Sequence, residues 1–297
     1  MTIEAKPVIE RYLRPQNYDR VQRDFKPVIR LINSSYGEYS LQLREDCFNI
    51  YYQGNSIAKV EPNKNGTYTA SIHSEFVKDL LEDLDKYSDI KHSSNDGNSN
   101  RYLRFRIQPD NLHGFFQRKH LNRISGRIRS VHNGEEITME QVIVTDNPLS
   151  RDYIIIDRQV ADHTNWSRVD LLSLKRDSND KYYFVVIEVK LGRNPELRHK
   201  AGEQVSTYVR HIREHIDDYC ACYELNYQQK KGLGLFGNEM PDSIVICREQ
   251  SSVKGLVVSC GYSLVADENI KSLKRVIRSN AWGIAAYQMP RMKLSDI

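Results

Sequence analysis

The chain has 297 residues, 39% of them apolar and 28% charged, with a formal net charge of +4. This length is enough for one large or two ordinary domains, and the composition is typical of a globular protein with a charged surface. No apolar run approaches the roughly 20 residues of a membrane-spanning helix, and the mixed, charged start MTIEAKPVIERYLRPQ lacks a signal-peptide core, so we expect a cytoplasmic protein with no membrane partner.

Residues 38–73 predict a small antiparallel meander. The segments YSLQL, FNIYY, SIAKVE and TYTASI alternate or are rich in β-formers, and QGN and NKNG lie between them as turns. SEFVKDLLEDLDKY, with Ser74 as its N-cap, predicts one helix, and the polar segment KHSSNDGNSN predicts a loop. We therefore expect a smaller α+β N-terminal domain over residues 1–128, which would recognise a substrate or partner.

A basic stretch follows, in which eight Lys or Arg residues between Arg101 and Arg129 stand against one acid, Asp110. Four aromatic rings are interleaved with these cations: Tyr102, Phe105, Phe115 and Phe116. Cations that neutralise phosphates and rings that stack on bases are typical of a nucleic-acid surface. The candidate phosphate-binding residues here are Arg118, Lys119, Arg123, Arg127 and Arg129. The alternative is a helix with a solvated basic face whose aromatic rings lie in the core.

The second half of the chain predicts an α/β arrangement. Segments 152–160, 167–175 and 182–191 are rich in β-formers, and the polar turn RDSNDK predicts a hairpin between the last two. An apolar stripe at three- and four-residue spacing predicts a long helix from Pro195 to Asp217. Segments 242–249 and 255–264 then predict one or two further strands, and 267–279 predicts a closing helix with a basic face.

The run YYFVVIEVK, at 182–190, ends an apolar strand with two opposite charges. Side chains alternate along a strand, so Glu188 and Lys190 point the same way. A hairpin would bring Asp170 of the preceding strand beside Glu188, and two adjacent carboxylates repel each other unless a cation lies between them. Mg²⁺ prefers such hard oxygen ligands. The alternative is an exposed ion-pair cluster on an ordinary α/β domain.

The helix after this strand adds a second cue. Gln204 and Tyr208 are four residues apart and therefore lie on one helix face. A glutamine there would bridge Lys190 or a ligand water to the sheet. The alternative is a helix glutamine with no special partner beside a partly buried tyrosine.

These residues resemble the PD-(D/E)XK nuclease superfamily, and Gln204 with Tyr208 is similar to the Gln-x-x-x-Tyr helix of its RecB-type exonuclease branch. The resemblance implies a restriction-endonuclease-like α-β-β-β-α-β core over residues 129–297. It implies that Asp170 and Glu188 are metal ligands as well as catalytic residues. It also implies that Lys190 is the catalytic lysine and that Gln204 supports it.

Two positions bear on this resemblance. Val169 stands where the family motif has a leading proline. Many members also carry a glutamate on the helix before the first strand. Glu140 matches it if the segment after Gly134 is a helix rather than a hairpin, and Asn133-Gly134 is a strong hairpin turn signal.

We therefore expect a metal-dependent nuclease that hydrolyses phosphodiester bonds, of DNA in preference to RNA, with Mg²⁺ as cofactor and Mn²⁺ as a substitute. Three further cations would line the entrance to the site and bind nucleic acid: Arg193, Arg198 and Lys200. The alternative is a catalytically inactive module of the same fold that binds nucleic acid or another partner. The two differ in their need for a divalent ion.

No transition-metal motif is visible in the sequence. The five cysteines are scattered, without a zinc spacing or a CxxC pair, so we expect reduced thiols. His211 and His215 are four residues apart on the predicted helix, a spacing that occurs in zinc sites when a third ligand converges. Because no HExxH motif accompanies them, we interpret them as polar residues of the helix face.

Overall fold

The computed structural model describes residues 6–91, 101–131, 134–147, 149–164 and 168–290. These residues divide into two compact units. The N-terminal unit contains Glu10–Gln141 and Leu225–Asn238, and the C-terminal unit contains the described residues of Met1–Ile9, Val142–Glu224 and Glu239–Ile297. The domain boundary that we placed near residue 128 stays a prediction; that position lies inside the helix Arg118–Val131.

The N-terminal unit is built on an antiparallel sheet. Its strands are β1 (Tyr39–Arg44), β2 (Cys47–Tyr52), β3 (Asn55–Pro62), β4 (Tyr68–His73), β5 (Asp89–Lys91) and β6 (Tyr102–Ile107), in the order β1-β2-β3-β4-β6-β5. The meander predicted over 38–73 is confirmed. Gln53 and Gly54, between β2 and β3, have φ of 44° and 83°, as a tight two-residue hairpin turn requires.

The helices of this part of the chain are mostly short. They are α1 (Pro15–Asp24), α2 (Lys26–Asn33), α3 (Ser74–Val77), α4 (Leu81–Asp85), α5 (Leu112–Phe115), α6 (Arg118–Val131) and α7 (Glu135–Asp146). The single helix predicted after β4 is wrong, because the backbone leaves helical values at Leu80, with φ of −125°, and separates α3 from α4. The helix is capped by His73, not by Ser74.

Aromatic rings fill the core of the N-terminal unit. Phe25 lies 4.8 Å from Phe48, 5.1 Å from Tyr68 and 6.0 Å from Phe116, measured between ring centroids. Phe105 and Phe115 are also fully buried. The three phenylalanines of the basic stretch are therefore core residues, as the alternative interpretation held, and they are not available to stack on bases. Tyr102 is 53% exposed.

The C-terminal unit contains a mixed five-stranded sheet. Its strands are β7 (Tyr153–Val160), β8 (Val169–Arg176), β9 (Tyr182–Leu191), β10 (Lys254–Cys260) and β11 (Ile284–Gln288), in the order β11-β10-β9-β8-β7. Strands β7, β8 and β9 pair antiparallel, whereas β9, β10 and β11 pair parallel. The three predicted strands and the β8–β9 hairpin are confirmed, and so is the α/β class.

Three helices accompany this sheet along the chain: α8 (Lys200–Glu214), α9 (Ile216–Gly232) and α10 (Ser263–Ser279). The continuous helix predicted from Pro195 to Asp217 is wrong. Pro195–Arg198 forms a 3-10 turn instead, and the backbone breaks at His215 before α9 begins. The strand predicted at 242–249 contributes a single bridge, from Ile246 to Tyr182. Neither α9 nor β11 was predicted.

The cysteines are thiols without disulfide bonds, and four of the five are buried. Burial raises the pKa of Cys47 to about 11 and that of Cys220 to about 12. Such thiols stay protonated near neutral pH and react slowly. Among the residues that the structure describes, no helix is both long and apolar enough to cross a membrane.

Candidate functional site

The β8–β9 hairpin places Asp170 next to Glu188. The backbone pairing of the two strands ends at Leu171 and Ile187. One residue beyond that pair, Asp170 and Glu188 point to the opposite face of the sheet from it, and hence to the same face as each other. Beyond the last backbone pair, the Asp170 side chain continues the hydrogen bonding between the two strands. Its Oδ2 accepts a hydrogen bond of 2.8 Å from the Val189 N–H.

Glu188 and Lys190 form a buried ion pair on that face. The Lys190 Nζ lies 2.9 Å from the Glu188 Oε1, and the two residues are 9% and 3% exposed. The alternative interpretation as an exposed ion pair is therefore wrong for these two residues. Burying a charged pair costs desolvation energy that its Coulomb attraction repays only in part. A buried ion pair at the end of an apolar strand is therefore weak evidence of a stabilising role and favours a functional one.

Glu196 is a second acid beside Lys190, and it was not among the predicted site residues. It lies in the 3-10 turn that follows β9, where the Asn194 side chain accepts a 3.0 Å hydrogen bond from its N–H. Its Oε2 is 3.7 Å from the Lys190 Nζ. The hydrogen bond from Lys200, together with the charge of Lys190, holds the pKa of the Glu196 carboxyl below its usual value. Lys190 thus lies between two carboxylates.

Helix α8 covers the face of the sheet that carries these charges. A Cβ added to Gly255 of β10 would lie 2.5 Å from Val205 and 3.0 Å from Val209, so only glycine allows α8 to lie this close. Gly255 is in register with Val186 of β9, two residues before Glu188. Since every second residue of a strand shares a face, Glu188 and Lys190 lie on the side that α8 covers.

Gln204 and Tyr208 lie on this helix as predicted. The Tyr208 hydroxyl donates a 2.9 Å hydrogen bond to the Arg168 carbonyl, which ties α8 to the start of β8. The Gln204 Oε1 is buried and accepts no hydrogen bond from the described residues. A buried acceptor without a donor is unusual and calls for an explanation.

Ser259 was also not among the predicted site residues. It is fully buried on β10 in register with Lys190, and its Oγ has no hydrogen-bond partner among the described residues. The one available signal was a single hydroxyl within the apolar run LVVSC. Its proximity to Lys190 depends on a parallel strand pairing that the sequence does not show.

The predicted cations after β9 are exposed but have protein partners. Arg193 lies over the Tyr262 ring, 4.9 Å from its centroid, and Arg198 donates a 2.9 Å hydrogen bond to Asn269. Lys200 pairs with Glu196. These contacts hold all three side chains near the C-terminal end of β9.

The cations of α6 lie in the N-terminal unit. Arg123 is 2.7 Å from Asp83, and Arg127 is 3.8 Å from Asp79 and 4.0 Å from Glu75. These acids pair with two of the five predicted cations, which agrees for those two with the alternative of a solvated basic helix face. The other three predicted residues are exposed: Arg118, which bonds Ser34, Arg129, which lies over Tyr52, and Lys119.

The segment of Glu140 is a helix, α7, so the hairpin alternative is wrong. Glu140 is 3% exposed and belongs to the N-terminal unit. Its role at a metal site stays a prediction.

Asp170 and Glu188 present carboxylate oxygens on one face, a donor set that fits Mg²⁺ or Mn²⁺. The chain was compared with protein-family models, curated proteins and solved structures, and none matched.

Proposed function

We propose that this protein is a metal-dependent nuclease that hydrolyses phosphodiester bonds, of DNA in preference to RNA. The observation that carries the proposal is the buried pair of Glu188 and Lys190 with Asp170 beside it on the same face of the sheet. Because burying charged groups costs desolvation free energy, buried charges of this kind are typical of functional sites.

The order of elements supports a restriction-endonuclease-like core. Helix α7, strands β7, β8 and β9, helix α8 and strand β10 follow one another as helix, three strands, helix and strand. The additional helix α9 stands between α8 and β10. The catalytic groups would then lie at the end of the second and third strands, under the helix that carries Gln204 and Tyr208.

Each site residue has a separate task in this proposal. Asp170 and Glu188 would hold Mg²⁺, which supplies charge stabilisation and a more acidic water. The Lys190 ammonium would stabilise the negative charge that develops on the phosphate oxygens. The Gln204 amide oxygen would accept a hydrogen bond from Lys190 or from a water in the site, and Arg193, Arg198 and Lys200 would bind the nucleic-acid backbone.

We expect Glu188→Gln and Lys190→Met to lower cleavage at least ~100-fold, because each removes a charge that acts at the reacting phosphate. Purified full-length protein is incubated with plasmid, linear duplex, single-stranded DNA and RNA, each with Mg²⁺, Mn²⁺ or EDTA. Glu203→Gln, an exposed acid of α8, is the matched control and should cleave like the wild type.

Equal cleavage by the wild type and Glu188→Gln would assign the activity to a contaminant and refute the site. Binding of nucleic acid without cleavage in any metal would favour the inactive module. Cleavage of RNA alone would correct the substrate and keep the chemistry.

A further inference from the structure

The break between α8 and α9 brings together three metal-ligating side chains. His211, Glu214 and His215 each offer a ligand atom, and these atoms lie within 4.8 Å of one another. Helix α8 ends at Glu214, and His215 has non-helical φ and ψ of −118° and 31°. This turn leaves the two imidazole rings 4.7 Å apart, measured between their centroids.

Asp162 fixes the orientation of the His211 ring. The His211 Nε2 hydrogen-bonds the Asp162 carboxylate, whose side chain is only 1% exposed. That carboxylate also accepts a 2.8 Å hydrogen bond from the Tyr219 hydroxyl and a 2.9 Å bond from the Thr164 N–H. A buried carboxylate that holds one imidazole nitrogen leaves the other, Nδ1, to act as a ligand, an arrangement that recurs behind metal-bound histidines.

We propose that His211, Glu214 and His215 bind a zinc-like divalent transition metal, with Asp162 as a positioning residue. Two imidazoles and a carboxylate suit Zn²⁺, Co²⁺ or Ni²⁺, whereas the carboxylates at β8 and β9 suit Mg²⁺. Ligand atoms about 2.1 Å from a tetrahedral ion lie about 3.4 Å apart, so ligand atoms within 4.8 Å of one another must approach by up to roughly 1.4 Å to close the site. The Glu214 side chain is exposed and has room for this shift.

The metal would join the last turn of α8 to His215, the residue at the break before α9. A ligand that binds only the folded chain raises its stability. The site therefore stabilises the break at His215, where φ and ψ leave helical values although the His215 N–H still bonds the His211 carbonyl. Its fourth position would be filled by water, since Glu214 lies at the surface.

The test uses full-length protein freed of metal with a chelator and titrated with Zn²⁺ by calorimetry. We expect one equivalent to bind and the thermal midpoint to rise. His215→Ala should weaken binding at least ~100-fold, and Asp162→Asn, which keeps the shape of the side chain, should weaken it roughly 10–100-fold. His113→Ala, an exposed histidine of α5, is the control and should bind like the wild type.

Equal Zn²⁺ affinity in the wild type and His215→Ala would refute the site, and so would the absence of binding at micromolar metal. Co²⁺ serves as a second probe, because its visible absorption should require both histidines. The chelator-treated variants are compared by circular dichroism, so that a folding defect is recognised as such. Glu188→Gln should keep the Zn²⁺ site intact, which separates this result from the nuclease proposal.

Discussion

Asp170 has two roles, of which the sequence predicts only one. Its charge lies beside that of Glu188, and its oxygen accepts the Val189 N–H where the β8–β9 ladder ends. The sequence predicted the repulsion between the carboxylates, because that follows from a hairpin and alternation alone. The hydrogen bond depends on where the backbone pairing stops, which only the folded strands define.

Substitution of Asp170 should separate these two roles. Asp170→Asn removes the charge but keeps an acceptor, so its free energy of unfolding in EDTA should equal or exceed that of the wild type. Asp170→Ala also loses the hydrogen bond from the Val189 N–H, so its free energy of unfolding should be about 1 kcal/mol lower than that of the wild type. Urea denaturation measures both. If Asn were as destabilising as Ala, the acid would not be repelled by Glu188, and the paired-carboxylate site would be wrong.

Strands with a clear pattern were the elements that the sequence predicted well. The meander β1–β4 and the strands β7–β9 follow alternation and polar turns. Helix α9 was missed because its buried side is not uniformly apolar. Tyr219, Tyr223 and Tyr227 share one face at four-residue spacing, but the polar residues Asn226, Gln229 and Lys230 are buried as well and interrupt the apolar pattern. The predicted site residues on β8 and β9 share one face, whereas Glu196 and Ser259 are neighbours of Lys190 only through the fold.

The close contact of α8 with the sheet should depend on Gly255. A Cβ there would meet Val205 at 2.5 Å and Ile284 at 2.6 Å, so Gly255→Ala should cost about 1–3 kcal/mol through overpacking and displace α8. Gly126→Ala on α6 is the matched control. A Cβ added at Gly126 would have no neighbouring heavy atom within 4 Å, so this substitution should stabilise the protein by roughly 0.5–1 kcal/mol.

Chemical denaturation of both variants provides the measurement. If Gly255→Ala were as stable as the wild type, α8 would not be held against β10 as described. Cleavage by Gly255→Ala should also fall, since Gln204 moves with the helix.

At the scale of the whole molecule, the chain returns to the N-terminal unit late in the sequence. Segment 225–238 belongs to that unit, where Gln229 bonds both the N–H and the carbonyl of Leu13, at 2.8 Å and 2.7 Å. Lys230 bonds Gln42 at 2.6 Å. Composition and local pattern cannot reveal such a return, because the partners are more than 180 residues apart. Neither unit is a continuous stretch of sequence.

A fragment that begins at the predicted domain boundary should therefore be prone to aggregation. Residues 129–297 keep 225–238 but lose most of the N-terminal unit that this segment belongs to, so apolar side chains that are buried there, such as Leu233 and Tyr227, become exposed. We expect this fragment to aggregate in size-exclusion chromatography, where the full chain gives one peak. Replacement of 225–238 by a Gly/Ser linker should reduce the aggregation. A monodisperse, stable 129–297 fragment would show that 225–238 needs no partner.

The position of Lys190 between Glu188 and Glu196 bears on how the site tolerates a change in its own charge. A cation that takes over the Glu188 carboxylate would ordinarily leave the lysine buried without a counter-charge, which is costly. Here the ammonium has a second carboxylate 3.7 Å away, on a turn outside the strand. A small rotation of one side chain would transfer the pairing from strand to turn. Lys190 would then keep a carboxylate as its counter-charge in both the empty and the loaded state, without movement of the sheet.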